Sequence, residues 1–170
     1  MTGRIFTADH HVYDLPPLLS WNVRHTGTVP CDSWSVTAVY QPEMLTVLRM
    51  AAGFAAIENG MTQLRGIVDE YTVELGSRGM TVTLSGRGYA ARLLDNESRP
   101  VTYEQVTLRE LIRCHAEPYG ISCGAAADLR STVPYTAGAG ISQWKVISEF
   151  CRTYGGFLPR FAKTGELLAT

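Results

Sequence analysis

The stretch from Ile67 to Ser85 constrains the fold more than any other part of the chain. Ile67, Tyr71, Val73 and Leu75 share one parity, and Glu70, Thr72 and Glu74 share the other. After Gly76-Ser77-Arg78-Gly79 the rule resumes, with Met80, Val82 and Leu84 set against Thr81, Thr83 and Ser85. Successive side chains of a strand point to opposite faces, so the pattern predicts an antiparallel hairpin, dry on one side and wet on the other.

That hairpin decides the meaning of the next residues, Gly86-Arg87-Gly88-Tyr89-Ala90-Ala91, which fit the G-x-G-x-x-A spelling of a dinucleotide fingerprint. A fingerprint works when a buried parallel strand delivers its glycines to the N-terminus of a long crossover helix, whose free N–H groups take the pyrophosphate. Here the strand is half polar and already paired, and only "YAARLLDN" is helix-compatible before Arg99-Pro100. No nucleotide cofactor is expected. Gly86 and Gly88 read instead as positions where the strand ends and bends sharply, with Leu93 and Leu94 plugging the end of a barrel or sheet core.

The rest of the first half is also strand-like. "WNVRHTG" and "CDSWSVTAVY" form a predicted strand pair punctuated by Gly27 and Pro30, with Val36 and Ala38 on one face. A short helix is expected after Pro42, carried by Met44, Val47, Leu48 and Ala51, a stripe that reads as core. Asn59-Gly60 between "FAAIE" and "MTQLRGIVDEY" marks a tight hairpin turn.

Helical patterns take over past Glu97-Ser98-Arg99-Pro100. Thr107 and Glu110 have capping-box spacing, and Leu108, Leu111, Ile112 and His115 fall on one face before Pro118 and Gly120 end the helix. "SQWKVISEFCRTYGGF" repeats the scheme, with Ser142 as N-cap, Trp144, Ile147, Cys151 and Tyr154 as the buried stripe, and Gly155 as the C-terminal glycine. Each helix is followed by an extended return, the second turning at Lys163-Thr164-Gly165. The expected fold class is therefore α+β: an antiparallel, partly open β-barrel followed by two small helix-plus-hairpin units. The expected organisation is an N-terminal arm over residues 1–20, a barrel domain over 21–99 and a small α/β domain over 100–170. The pattern stops in mid-strand at Thr170, as in a piece of a longer chain.

Composition narrows the function. Fifteen basic against sixteen acidic side chains give a formal net charge of −1, with no basic run of the kind that binds nucleic acid. No apolar stretch approaches the roughly 20 residues of a membrane span, and the N-terminus has no secretory core, so synthesis in a cytoplasm without a signal peptide is expected. The four cysteines, Cys31, Cys114, Cys123 and Cys151, then read as thiols. Cys114, His115 and Cys123 lack the spacing of a zinc site. His115 on its apolar face reads as a satisfied core histidine.

Catalytic motifs are not found. There is no G-x-S-x-G elbow, H-E-x-x-H helix or Walker loop. Asp69-Glu70 and Asp95/Glu97 are carboxylate pairs of the type a glycosidase uses, but Glu70 falls on the wet strand face and Asp95-Asn96-Glu97 reads as a helix exit. Ser20, Ser85 and His25 show no triad spacing. Catalytic, cofactor-binding and metal residues are accordingly all assigned as none, and the chain is not read as an enzyme.

Five segments together, "VPCDSWSVTAVY", "AAGFAAIENG", "RGIVDEYTVELGSRGMTVTLSGRGYAARLLDNES", "TLRELIRCHAEPYGI" and "GISQWKVISEFCRTYGGFLPRF", resemble the hub proteins of phage tail baseplates. This is the group of late control protein D and the Mu-type tail hub, related in fold to the spike base of type VI secretion systems. The resemblance runs from Trp21 onward, and its most specific piece is G-x-V-D-E-Y followed by a turn and G-R-G-x-x-A-x-L-L-D-N-E. It implies a structural protein of a virion or prophage tail, joining the tail tube to the spike as a homotrimer in its full-length form. Family members usually continue into a second barrel-like domain, which this chain does not contain. A cell-wall or glycan-binding module of a tail protein is the alternative, and a peptidoglycan-degrading tail enzyme the third reading.

Overall fold

The computed structural model describes residues 1–27, 30–77 and 79–170; Thr28, Val29 and Arg78, the last within the expected Gly76–Gly79 turn, lie outside the described residues. The chain forms two compact units, Met1–Gly88 and Tyr89–Thr170. The break follows the last strand of the first unit, eleven residues before the expected border after Arg99.

The first unit contains β1 (Thr2–Thr7), β2 (Val12–Asp14), β3 (Leu18–Arg24), β4 (Ser33–Val39), α1 (Met44–Arg49), β5 (Ala51–Glu58), β6 (Met61–Gly76) and β7 (Gly79–Gly88). Residues 1–20, expected as an arm, supply β1, β2 and the start of β3, and Ile5 is fully buried. The seven strands make one antiparallel sheet in the order β2-β1-β5-β6-β7-β4-β3. Pairing stops at β2 and β3, and no closed barrel forms among the described residues. Asn59 and Gly60 turn β5 into β6 with φ of 51° and 77°, as a twisted two-residue hairpin requires. Trp34, Val36 and Ala38 share the buried face of β4 with Phe54, Leu64, Val82 and Leu84, and α1 covers them with Met44 and Leu48.

The parity of β6 is not continuous. Its register with β7 slips between Val68 and Glu70, a β-bulge that lets one residue pass unpaired and reverses which side chains face inward. Before the bulge Leu64, Gly66 and Val68 face the core; after it Tyr71 and Val73 do. Ile67, expected among the inward residues, instead shares the outer face with its pairing partner Arg87. Leu75 lies at the far end of the ribbon, 80% exposed.

At the bulge the two strands approach unusually closely. A β-carbon on Gly86 would overlap the Ile67 carbonyl oxygen and lie 2.9 Å from Cζ2 of Trp34, and one on Gly66 would overlap the Arg87 carbonyl oxygen. Trp34 lies flat across this pinch: its ring stacks on Phe54 at 3.8 Å, and its Nε1–H donates to the Ile67 oxygen at 3.1 Å. On the other side Arg87 grips Asp69 with two hydrogen bonds of 2.8 and 2.9 Å. Gly86 therefore sits inside β7 rather than at its end. Gly88 is the last strand residue, and neither has a left-handed φ; the requirement is space, not a bend.

The second unit contains α2 (Ala90–Leu94), β8 (Val101–Tyr103), α3 (Leu108–His115), β9 (Cys123–Ala126), β10 (Tyr135–Ala137), α4 (Gln143–Phe150), β11 (Arg160–Phe161) and β12 (Leu167–Ala169). β8 pairs with β10, and β12 lies between β11, antiparallel, and β9, parallel. The expected pair of separate hairpin units is thus one interlocked set of helices and short sheets. Leu93 packs into this unit's core with Leu111, Ile112, Ile147 and Phe150, not into the end of the first sheet.

Both helices start as their sequences imply. Thr107 Oγ1 accepts from the Glu110 N–H at 3.3 Å while Glu110 Oε2 accepts from the Thr107 N–H at 2.8 Å, and Ser142 Oγ accepts from the Lys145 N–H at 3.2 Å. They end differently. A 3-10 turn leads α3 to Gly120 at φ 72°, whereas a π-helical turn over Cys151–Gly155 carries α4 one residue further, so the left-handed stop is Gly156 at φ 71° rather than Gly155. The buried stripe is Gln143, Val146, Ile147, Phe150 and Cys151. Trp144 and Tyr154, expected in it, lie on its border and are partly buried, Trp144 against the Phe161 ring at 5.8 Å.

Two stability measurements check this packing. Gly86→Ala should cost about 2–3 kcal/mol or prevent folding, because the added carbon meets backbone and an immobile indole, whereas Gly88→Ala, whose added carbon would meet Asp32 Cβ at 3.3 Å, should cost clearly less in urea titrations. Phe150→Ala should lose about 3–5 kcal/mol, and Trp144→Ala markedly less; equal losses would place Trp144 in the core after all.

Candidate functional site

The residues singled out by sequence are dispersed. Glu70 accepts a hydrogen bond from Ser85 Oγ at 3.0 Å on the outer sheet face, beside the Asp69–Arg87 pair. These carboxylates are held by their neighbours, and the geometry gives no opposed acid and base. Asp95 caps the end of α2, Asn96 Nδ2 donates to the Arg92 carbonyl at 2.7 Å, and Glu97 offers its backbone oxygen rather than its carboxylate to the interior. Ser20 lies in the edge strand β3. His25 Nδ1 is 2.8 Å from Asp32 Oδ2, and Asp32 Oδ1 accepts from the Thr26 N–H at 2.9 Å. That pair, invisible to spacing rules, ties together the two ends of the β3–β4 connection.

The cysteines differ in setting. Cys114 is exposed, Cys31 and Cys123 are intermediate, and burial pushes the Cys151 thiol up to about 12. Burial likewise raises Cys123. A thiol held neutral is a poor nucleophile. Among the described residues no three His, Cys, Asp or Glu side chains gather into a metal-binding group, and no helix is long and apolar enough to cross a membrane.

His115 is the centre of the one extended buried polar cluster described. It is 5% exposed. Its Nδ1 lies 2.6 Å from Gln143 Oε1 and its Nε2 lies 3.0 Å from the Tyr103 hydroxyl. Gln143 Nε2 donates to the Glu97 carbonyl at 2.8 Å and to the Tyr119 hydroxyl at 2.9 Å. The Glu97 carbonyl can only accept, which fixes the amide orientation, so Oε1 accepts and His115 donates from Nδ1; with that tautomer Tyr103 is the donor to Nε2. Burial raises the Tyr103 hydroxyl above its ordinary range, which keeps that donor in place. Among the described residues no buried side-chain nitrogen or oxygen lacks a hydrogen-bond partner. The arrangement locks β8, α3 and α4 together. Gln143 was missed in the sequence because a polar residue just inside a helix start reads as a surface cap; a polar residue in phase with Val146, Ile147 and Phe150 was the available signal.

A concave site is found on the first unit. A groove of about 330 Å³ is lined by Val12, Tyr13, Val47 and Met50 together with Asp9 and His11. Leu19 and Trp21 stand exposed on edge strand β3.

No protein family and no curated protein matches the chain by sequence. Solved structures do match. A tail protein from Neisseria meningitidis MC58 superposes over 98% of this chain and 49% of its own, with a TM-score of 0.69 at 14% identity. The 43 kDa tail protein of prophage MuSo2 from Shewanella oneidensis covers 98% and 53%, with a TM-score of 0.73 at 14% identity. The fold is that of phage tail proteins. A component of the type VI secretion system of E. coli, described as similar to the bacteriophage T4 tail proteins gp27 and gp5, shares this tail-protein fold more distantly, over 88% of this chain and 47% of its own, with a TM-score of 0.52 at 10% identity. The chain spans about half the length of each.

The polar lock is open to measurement. Gln143→Leu strands the His115 Nδ1–H without an acceptor and should destabilise the protein by about 1–3 kcal/mol. Imidazole ¹⁵N shifts of the unmodified protein should report the Nδ1–H tautomer; an Nε2–H tautomer would refute the assignment of donors.

Proposed function

We propose that this chain is a non-catalytic structural component of a phage or prophage tail, located in the baseplate hub and connecting the tail tube to the spike. The observation that carries the reading is the whole-chain likeness of both units, in their order, to two tail proteins. The likeness to a type VI secretion component described as related to gp27 and gp5 supports the narrower assignment to the hub. The seven-stranded sheet supplies the barrel-like part, and the second unit the small α/β part.

Structural proteins of this kind act by presenting surfaces at fixed relative positions, and a sheet with two ends is suited to that. A homotrimer with threefold symmetry in the full-length form closes such subunits into a ring. The tail tube and the spike are the proposed neighbours, and the virion tail the proposed location.

Deletion of the gene from the phage or prophage that encodes it is the direct test. Electron microscopy of the resulting particles should find tail tubes without attached spikes, and restoring the gene should repair them. Mass spectrometry of purified tails should find about three copies per tail. Intact, spike-bearing tails from the deletion strain would overturn the assignment.

A further inference from the structure

The sheet of the first unit ends at β3, which pairs with β4 on one side only. Its register slips between Leu18 and Ser20, and from Ser20 to Arg24 the ladder is regular. Along its free edge that stretch presents a row of backbone N–H and C=O groups, and among the described residues no loop or side chain is bonded to it. The other end of the sheet is guarded: β2 has three residues, and its Asp14 is held by Arg4 at 2.6 Å. Short length and charge are common protections against strand addition. β3 has seven residues, none of them proline, and its single charge, Arg24, comes last.

The two faces of β3 differ in chemistry. Trp21 pairs with Val36 and Val23 with Trp34, which places both on the core-facing side. Val36 and Trp34 are buried there, yet Trp21 is 49% exposed, so the apolar layer runs out over β3 without a cover. Ser20, Asn22 and Arg24 pair with Thr37, Ser35 and Ser33 on the outer face, which is polar. Arg24 pairs with no carboxylate among the described residues. Asp32, the one acid of the β3–β4 connection, is taken up by the Thr26 N–H at 2.9 Å and by His25 Nδ1 at 2.8 Å.

We infer that β3 accepts an extended segment of a different protein as an eighth strand of this sheet. Backbone hydrogen bonds supply the contact in such an addition, and alternate side chains supply its selectivity. The segment that fits has apolar residues beside Trp21 and Val23, polar residues beside Ser20 and Asn22, and a carboxylate beside Arg24. A second copy does not offer this, since β3 itself contains no Asp or Glu and β2 is short with its Asp14 engaged. The inference rests on the edge and adds a mode of contact to the proposed tail role without depending on it.

The probe is a capped seven-residue peptide that alternates valine and threonine after an initial glutamate, which antiparallel pairing sets opposite Arg24. Titration calorimetry should give a dissociation constant below about 1 mM, and amide exchange should slow at residues 20–24. Two further peptides carry N-methyl groups on odd or on even residues. Alternate N–H groups of a strand point to the same edge, so one of the two should bind like the original and the other should not. Arg24→Glu should weaken binding roughly threefold and favour a peptide that begins with lysine, and Trp21→Ala should weaken it about tenfold, with circular dichroism verifying that both exposed-site variants fold. No binding at about 1 mM, equal binding of the two methylated peptides, or unchanged exchange in β3 would each overturn the proposal. Self-association of the unmodified chain that Trp21→Ala abolishes would also overturn it, by naming a copy as the occupant. Spike attachment is read in the virion and peptide binding on the purified chain, so the two readings fail separately.

Discussion

The first unit depends on a single close approach, that of β6 to β7 beneath Trp34. The approach leaves no room for a β-carbon at Gly66, which would meet the Arg87 carbonyl, or at Gly86, which would meet the Ile67 carbonyl. The indole then reaches over β7 to the Ile67 carbonyl and lies against Phe54. Opposite the indole, the residue freed by the bulge, Asp69, turns outward and is held by Arg87. Removing any one of these would leave the others without a purpose: the indole needs the glycine's space, the bulge supplies the carbonyl's direction, and the ion pair holds the bulge.

The second unit is organised by polar satisfaction rather than by close approach. Its two helices start alike and pack together, and a packed pair of similar apolar faces has more than one plausible register. His115 and Gln143 meet correctly in only one of them, since a shifted pairing would bury hydrogen-bonding groups without partners, at a cost that exceeds what the bonds themselves contribute.

Much of this was legible in the sequence. The two capped helix starts, the Asn59-Gly60 turn, the β3–β4 pair and the hairpin at 61–88 are fixed by short-range rules, and short-range rules suffice for them. The β6 bulge was not, because parity read through Ile67 and Tyr71 assumes an unbroken ladder, and the insertion at Asp69 is set by the partner strand. The π-helical turn hid in the same way: Gly155-Gly156 offers two stops, and the left-handed place falls to Gly156, while Phe157 and Leu129 occupy the space a β-carbon on Gly155 would need. Arg87 and Asp69, or His25 and Asp32, are ordinary surface residues in text, and only the folded chain makes them partners. The reading of Gly86 as a bend at the strand end missed what the glycine makes room for, a side chain that lies 52 residues upstream at Trp34.

The parallel pairing of β12 with β9 sets an order on how this chain can reach its native state. β12 is the central strand of its sheet, and it carries Leu167 and Ala169 fully into the core. Until the ribosome has released those residues, β9 has no partner and α3 and α4 lack part of the surface they pack against. The first unit, by contrast, has all its strands once Gly88 has emerged. Synthesis therefore separates the two events: an early, self-sufficient sheet folds while its successor waits for its last strand, and a chaperone meeting the nascent chain would find exposed apolar surface mainly in the later half.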